Sequence, residues 1–162
     1  MRITISGQHD HPELTSGQTF LVTALGPGER DDTSPHASGH RPTLDLYLHD
    51  LHFPIQGFIH PERFHVQALI DHVRAAQPEH LHAACYAGIS RSSALAAVAL
   101  AAVSDLSDDD VLAEVRRVRP GAYPNALILK HADALLERDL SGACERLLGH
   151  DDWTPSPEDY ED

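Results

Sequence analysis

A chain of 162 residues, 41% hydrophobic and 23% charged, has the size and composition of one soluble globular domain that can bury a core without metal or disulfide staples. Its formal net charge of −13 argues against nucleic acid or an anionic membrane surface as a partner. No apolar run approaches a membrane span, Met1 to Ser6 lacks the apolar core of a signal peptide, and two cysteines make no disulfide framework, so a cytoplasmic protein is expected.

Met1 to Ser6 alternates apolar and polar residues and predicts a short edge strand. Residues 7–17 read as a turn with one short helical turn. Thr19 to Leu25 is a compact, β-branched apolar run that predicts a buried strand, stopped by Gly26-Pro27-Gly28. Residues 28–42 are rich in Gly, Pro and Ser and predict a mobile loop. Thr43 to Leu48 alternates again and predicts a third strand, running out into His49-Asp50-Leu51.

Pro61 to Ala76 predicts a helix with Pro61 in its first position and an apolar stripe of Phe64, Ala68, Leu69 and Val73. Residues 80–85 predict a short apolar strand. Arg91 to Val103 predicts a helix buried nearly all round. Ser107 and the acidic run Asp108 to Asp110 open a helix that ends at Arg116-Arg117-Val118-Arg119 before Pro120. Pro124 to Arg138 and Ser141 to Leu148 are two more. Residues 150–162, acidic and holding two prolines, are expected to be a disordered tail, leaving 1–149 as the domain. Strands alternating with helices predict a single α/β domain with a mainly parallel central sheet flanked by helices.

The chemistry concentrates in residues 85–93, Cys-Tyr-Ala-Gly-Ile-Ser-Arg-Ser-Ser, between an apolar strand and a buried helix. Ligands bind at that place in open parallel sheets. A tight loop there can aim the successive amides of Tyr86, Ala87, Gly88, Ile89, Ser90 and Arg91 into one concavity, and the helix adds the positive end of its dipole. Gly88 supplies backbone freedom, and Arg91 can grip two phosphate oxygens with its planar fork. Donors and positive charge favour a thiolate at Cys85. A thiolate beside a captured phosphate is a phosphoryl-transfer site.

On these residues the chain resembles the cysteine-dependent tyrosine and dual-specificity phosphatases, marked by His-Cys-x5-Arg-Ser/Thr; the Ala-Gly-Ile-Ser-Arg-Ser wording is like that of their small bacterial members. Arg119-Pro120-Gly121-Ala122-Tyr123-Pro124-Asn125 resembles the family's Arg-Pro…Pro-Asn segment. Leu48-His49-Asp50-Leu51 looks like its strand end bearing the general acid. The resemblance covers about Thr19 to Leu140. It implies a phosphomonoester hydrolase acting on a phosphorylated protein or a small aryl phosphate. Cys85 would be the nucleophile, Arg91 the clamp, Asp50 the general acid, and Ser92 the hydroxyl that helps the thiolate leave. No metal or organic cofactor is implied.

Competing readings attach to several residues. Asp45 is the other carboxylate near the rim, but its alternation with Leu44, Leu46 and Leu48 turns it outward in mid-strand. Ala84 stands where the family usually has histidine. His82 shares its strand face and reads better as a hydrogen-bonded core residue than as a substitute. Cys144 reads as a core cysteine, and the close pairs among thirteen histidines read as solvated surface. Arg116, Arg117 and Arg119 either complement a helix dipole or steer an anionic substrate. The alternative function is a pseudophosphatase that binds phosphorylated partners with little turnover. A sulfurtransferase, a thiol-based arsenate reductase and a phosphoinositide phosphatase fit less well, the last because the loop carries no lysine.

Overall fold

Four short runs of β-branched and aliphatic residues form one all-parallel sheet in the computed structural model, which describes residues 1–10, 12, 14, 19–30 and 42–149. The strands are β1 (Arg2–Gly7), β2 (Thr19–Leu25), β3 (Leu44–Tyr47) and β4 (His80–Cys85), in spatial order β1-β4-β2-β3. β1 is an edge strand, as its alternation predicts. The register aligns Gly7 and Ala24 with Cys85, and Leu25 with Tyr47. The segments that leave the strands therefore emerge along one rim.

Alternation gives the sheet two different faces. Ile3, Ile5, Phe20, Val22, Ala24, Leu46, Leu81, Ala83 and Cys85 belong to the hydrophobic core shared with the helices. The other face of β1 and β4 carries a polar ladder. Thr4 Oγ1 lies 2.7 Å from His80 Nε2 and 2.7 Å from His82 Nδ1, and Ser6 Oγ lies 2.8 Å from His82 Nε2. Both His82 ring nitrogens are thus engaged and the side chain is fully buried. His82 is a satisfied core histidine.

Five helices follow: α1 (Arg63–Ala76), α2 (Arg91–Val103), α3 (Asp108–Val118), α4 (Ala126–Leu136) and α5 (Leu140–Leu148). α2 packs on β4, β1 and β2, and its Ala94 to Ala101 stretch is buried throughout, as its composition predicts. Ser107 caps α3 by accepting from the Asp110 amide at 3.1 Å. None of the helices among the described residues is long and apolar enough to cross a membrane.

α1 corrects the sequence expectation. It begins at Arg63 rather than Pro61, because Glu62 and His65 form a reciprocal cap in which the Glu62 amide donates to His65 Nδ1 at 3.0 Å. That phase buries Val66, Leu69, Ile70 and Val73, an i, i+3, i+4, i+7 stripe, and leaves Phe64 62% exposed. α4 likewise begins at Ala126, capped by Asn125, whose Oδ1 accepts from the Ile128 amide at 3.0 Å. The expected helical turn within 7–17, most of the expected loop at 28–42 and the expected disordered tail at 150–162 lie outside the described residues.

Candidate active site

Cys85 is the last residue of central strand β4, and Arg91 is the first of α2. The five residues between them must reverse the chain in very little space, and Gly88 makes this possible. Its φ is +73°, and an added Cβ would fall 2.3 Å from the Gly7 nitrogen and 2.4 Å from the Ser6 carbonyl carbon. Both backbone freedom and the lack of a side chain are needed here.

The loop is shaped by what holds its carbonyls. In a planar trans peptide the C=O and the next N–H point in opposite directions, so fixing one aims the other. The Tyr86 carbonyl accepts from the Gln8 amide at 3.2 Å. Arg119 donates to the Ala87 carbonyl at 3.2 Å through Nη2 and to the Gly88 carbonyl at 3.0 Å through Nε. The Ile89 carbonyl accepts from the Tyr123 amide at 2.9 Å and from Ser93 Oγ at 2.5 Å. The Ser90 carbonyl accepts from the Asn125 amide at 3.1 Å and from Ser93 Oγ at 3.0 Å. Five consecutive carbonyls are tied outward, so the amides of residues 87–91 are turned to the loop's inner side. This is a nest of the kind that cradles anions, seated at a helix N-terminus.

Cys85 Sγ sits within this cradle. It accepts from the Gly88 amide at 3.3 Å and lies 3.2 Å from Ser92 Oγ, with both side chains buried. Arg91 is only 4% exposed. Its Nη1 and Nη2 each donate to Glu29 at 2.7 Å, and Nη1 also donates to the Leu48 carbonyl at 2.9 Å. Nε is buried without a hydrogen-bond partner among the described residues. An orphaned guanidinium donor is costly unless a ligand accepts from it. Burial works against the Arg91 charge, but the Glu29 bonds and the charges of Cys85, Asp50 and Glu29 outweigh it and raise its pKa above that of a free guanidinium.

Glu29 is the residue that sequence reading missed. It follows the Gly26-Pro27-Gly28 stop, and its Oε1 accepts from the Gly26 amide at 2.8 Å. Gln8 Nε2 holds its backbone carbonyl at 2.7 Å. Burial pushes its carboxyl up, but the hydrogen bonds and charge of Arg91 pull harder and leave it below the ordinary 4.5. The stabilisation from this pair is therefore present above pH 4.5 and is lost as pH falls through the lowered value. Glu29→Gln should flatten the pH dependence of thermal unfolding below pH 4.5. An unchanged acid slope would remove Glu29 from the account of acid stability.

Asp50 lies beyond the end of β3, on the rim with the loop. Its Oδ1 accepts from Ser90 Oγ at 2.7 Å and from Asn125 Nδ2 at 2.8 Å, and Asn125 Nδ2 also donates to the Leu51 carbonyl at 3.0 Å. Oδ2 has no protein partner among the described residues. Fully buried Asn125 thus caps α4, holds the loop through its amide and positions Asp50. Beside Asp50, burial lowers the His52 pKa, only partly opposed by the Asp50 charge. The neutral ring accepts from the Ala126 amide at Nδ1, 3.1 Å away.

The structure brings Cys85, Arg91, Ser92 and Asp50 to one rim and places the other candidates elsewhere. Asp45 is exposed, accepting from Thr23 Oγ1 at 2.8 Å and pairing with Arg30 at 2.6 Å. Cys144 is buried away from the loop, lining a cavity of about 220 Å³ with Tyr123, Leu129 and Leu148. Arg117 pairs with Glu114, Arg116 donates to the Ala122 carbonyl, and Arg119 turns to the back of the loop. No group of His, Cys, Asp or Glu among the described residues could hold a metal ion.

This arrangement is built on the fold of the dual-specificity phosphatases. The crystal structure of human DUSP28 aligns with a TM-score of 0.58 at 17% identity, covering 83% of this chain and 91% of that one. A point variant of the same human protein gives 0.53 at 21% identity over 74% of this chain and 77% of that one. DUSP15 gives 0.51 at 17% identity over 83% and 81%. No family model matches the chain, and no curated protein matches it in sequence.

Proposed function

We propose that this protein is a cysteine-dependent phosphomonoesterase of the tyrosine and dual-specificity type. The observation that carries the reading is the cradle itself: Cys85 Sγ accepts from the Gly88 amide, the loop carbonyls are tied away from it, and Arg91 Nε, at the start of the following helix, is buried with no partner among the described residues. A tetrahedral dianion satisfies all of them at once. In the first step the Cys85 thiolate attacks phosphorus. The bond from phosphorus to the leaving oxygen breaks, and Asp50 protonates that oxygen. Since Oδ1 is engaged by Ser90 and Asn125, the proton is delivered from Oδ2. In the second step Asp50, now a carboxylate, takes a proton from water as that water attacks phosphorus. The S–P bond breaks, and Ser92 Oγ donates to the departing sulfur.

The rim supports an aromatic phosphate as substrate. Tyr86 and Ile89 are 48% and 42% exposed beside the cradle, and neither carries charge. They offer apolar cover to an aryl group and nothing for additional phosphates. Phosphotyrosine on a protein, or a small aryl phosphate, meets that description.

Asp50→Asn tests the reading through the leaving group. For phenyl or alkyl phosphates, whose leaving oxygen needs a proton, turnover should fall about 100-fold, the low end of general-acid effects. For p-nitrophenyl phosphate the fall should be about tenfold or less, with little change in phosphate affinity. A loss that does not depend on the leaving group would assign the acid to another residue. The pseudophosphatase alternative rests on Ala84, where the family's usual histidine is missing. Binding of aryl phosphate by the wild type without measurable hydrolysis would establish that alternative.

A further inference from the structure

Of the five carbonyls tied outward, three are held by the donors of Gln8, Ser93, Tyr123 and Asn125, and two by a single charged side chain. That side chain is Arg119. Its Nη1 donates to Asp10 Oδ2 at 3.0 Å, and Asp10 Oδ1 accepts from the Gly7 amide at 2.5 Å. Each guanidinium nitrogen is thus engaged: Nε and Nη2 on the loop, Nη1 on Asp10 just beyond β1. None of these contacts faces the concavity, so Arg119 is placed to hold the cradle, not the phosphate. Burial pushes the Asp10 carboxyl up, but the Arg119 hydrogen bond and charge and the Gly7 amide hold it below its ordinary 3.8, consistent with a formed ion pair.

We infer that Arg119, held in place by Asp10, is a positioning residue for oxyanion binding: it fixes the Ala87 and Gly88 carbonyls outward and so aims the Gly88 and Ile89 amides at the bound anion. The inference rests on the cradle reading and adds a division of labour to it. The amides of Gly88 and Ile89 depend on Arg119. Those of Ser90 and Arg91 depend on Ser93, Tyr123 and Asn125. Without the clamp, the Ala87 and Gly88 carbonyls have no outside donor among the described residues, and of the two peptides only the one ending in the Gly88 amide keeps a tie, its bond to Cys85 Sγ. Two of the inward amides would then be less preorganised.

Amide resonances read this division residue by residue. Inorganic phosphate is titrated into wild type, Arg119→Met, Arg119→Lys and Asp10→Asn while the amide signals of Gly88, Ile89, Ser90 and Arg91 are followed. In wild type all four should move. In Arg119→Met the Gly88 and Ile89 responses should collapse while those of Ser90 and Arg91 persist, and phosphate should bind at least about tenfold more weakly. Arg119→Lys, which can reach one carbonyl but not two together with Asp10, should fall between. A uniform response in Arg119→Met, with unchanged affinity, would overturn the clamp. If that variant does not fold, Asp10→Asn decides. Asp10 is about half exposed, and its loss should weaken the Gly88 and Ile89 responses selectively. An unchanged Asp10→Asn would then overturn the inference. A wild type in which no loop amide responds would instead overturn the cradle reading on which the clamp depends.

Discussion

Cys85→Ser should lose at least about 10,000-fold in aryl-phosphate turnover, a barrier increase of about 5.4 kcal/mol at 1.36 kcal/mol per tenfold. The hydroxyl is isosteric enough to leave the loop intact, so the loss is chemical. A serine hydroxyl has no adjacent base in this site, whereas the thiolate needs none. The Gly88 amide and Ser92 Oγ that surround Sγ are hydrogen-bonding groups and not bases. The variant should still bind phosphate, because the amides and Arg91 are untouched. Cys144→Ser should retain wild-type turnover, since Cys144 lines a cavity that includes no residue of 85–93. Turnover retained in Cys85→Ser, or lost in Cys144→Ser, would dismiss Cys85 as the nucleophile. Activity should also survive a chelator.

Arg91→Lys should cost about 1,000-fold in kcat/KM, the scale seen when a preorganised donor to developing charge is removed. Three features of the site make this substitution severe. Arg91 makes three donor contacts to Glu29 and Leu48 at once, and a lysine ammonium cannot reproduce that planar geometry. Its Nε is then left as the donor for phosphate. The lysine variant also leaves the partly buried Glu29 carboxylate short of partners. Both binding and the chemical step should suffer, because the clamp grips the ground state and grips the trigonal transferring group more tightly still. A change confined to KM would mean that Arg91 contributes uniform binding and no selective stabilisation of the transition state.

The cradle was legible because its chemistry is contiguous. Cys85, Gly88, Arg91 and Ser92 lie within eight residues, between a strand and a helix whose bounds were read as they stand. The alternation in Thr43 to Leu48 was enough to separate Asp50 from Asp45, and both lie where that pattern places them. The supports were not legible, because they are made by residues distant in sequence. Glu29 meets Arg91 across 62 positions and Arg119 meets Asp10 across 109. Neither local pattern nor composition encodes such pairings; they follow from parallel strands that end at one rim. Arg119 illustrates the point. As sequence it was one member of a basic run and the head of an Arg-Pro…Pro-Asn segment, and neither pattern says that its guanidinium ends on the Ala87 and Gly88 carbonyls. The phase of α1 was missed for a local reason: the Glu62–His65 cap sets where the helix begins, and with it which side chains face inward.

Phosphorylation of Cys85 during turnover is the central claim, and it is directly measurable. The protein is mixed with excess aryl phosphate, quenched in acid within milliseconds and analysed by mass spectrometry of the peptide that contains Cys85. The account predicts a phosphate adduct on Cys85 that appears with the first equivalent of released phenol. The adduct should persist longer in Asp50→Asn, where the base for its hydrolysis is missing. Release of phenol through many turnovers, with Cys85 unmodified at every quench time in both proteins, would contradict it.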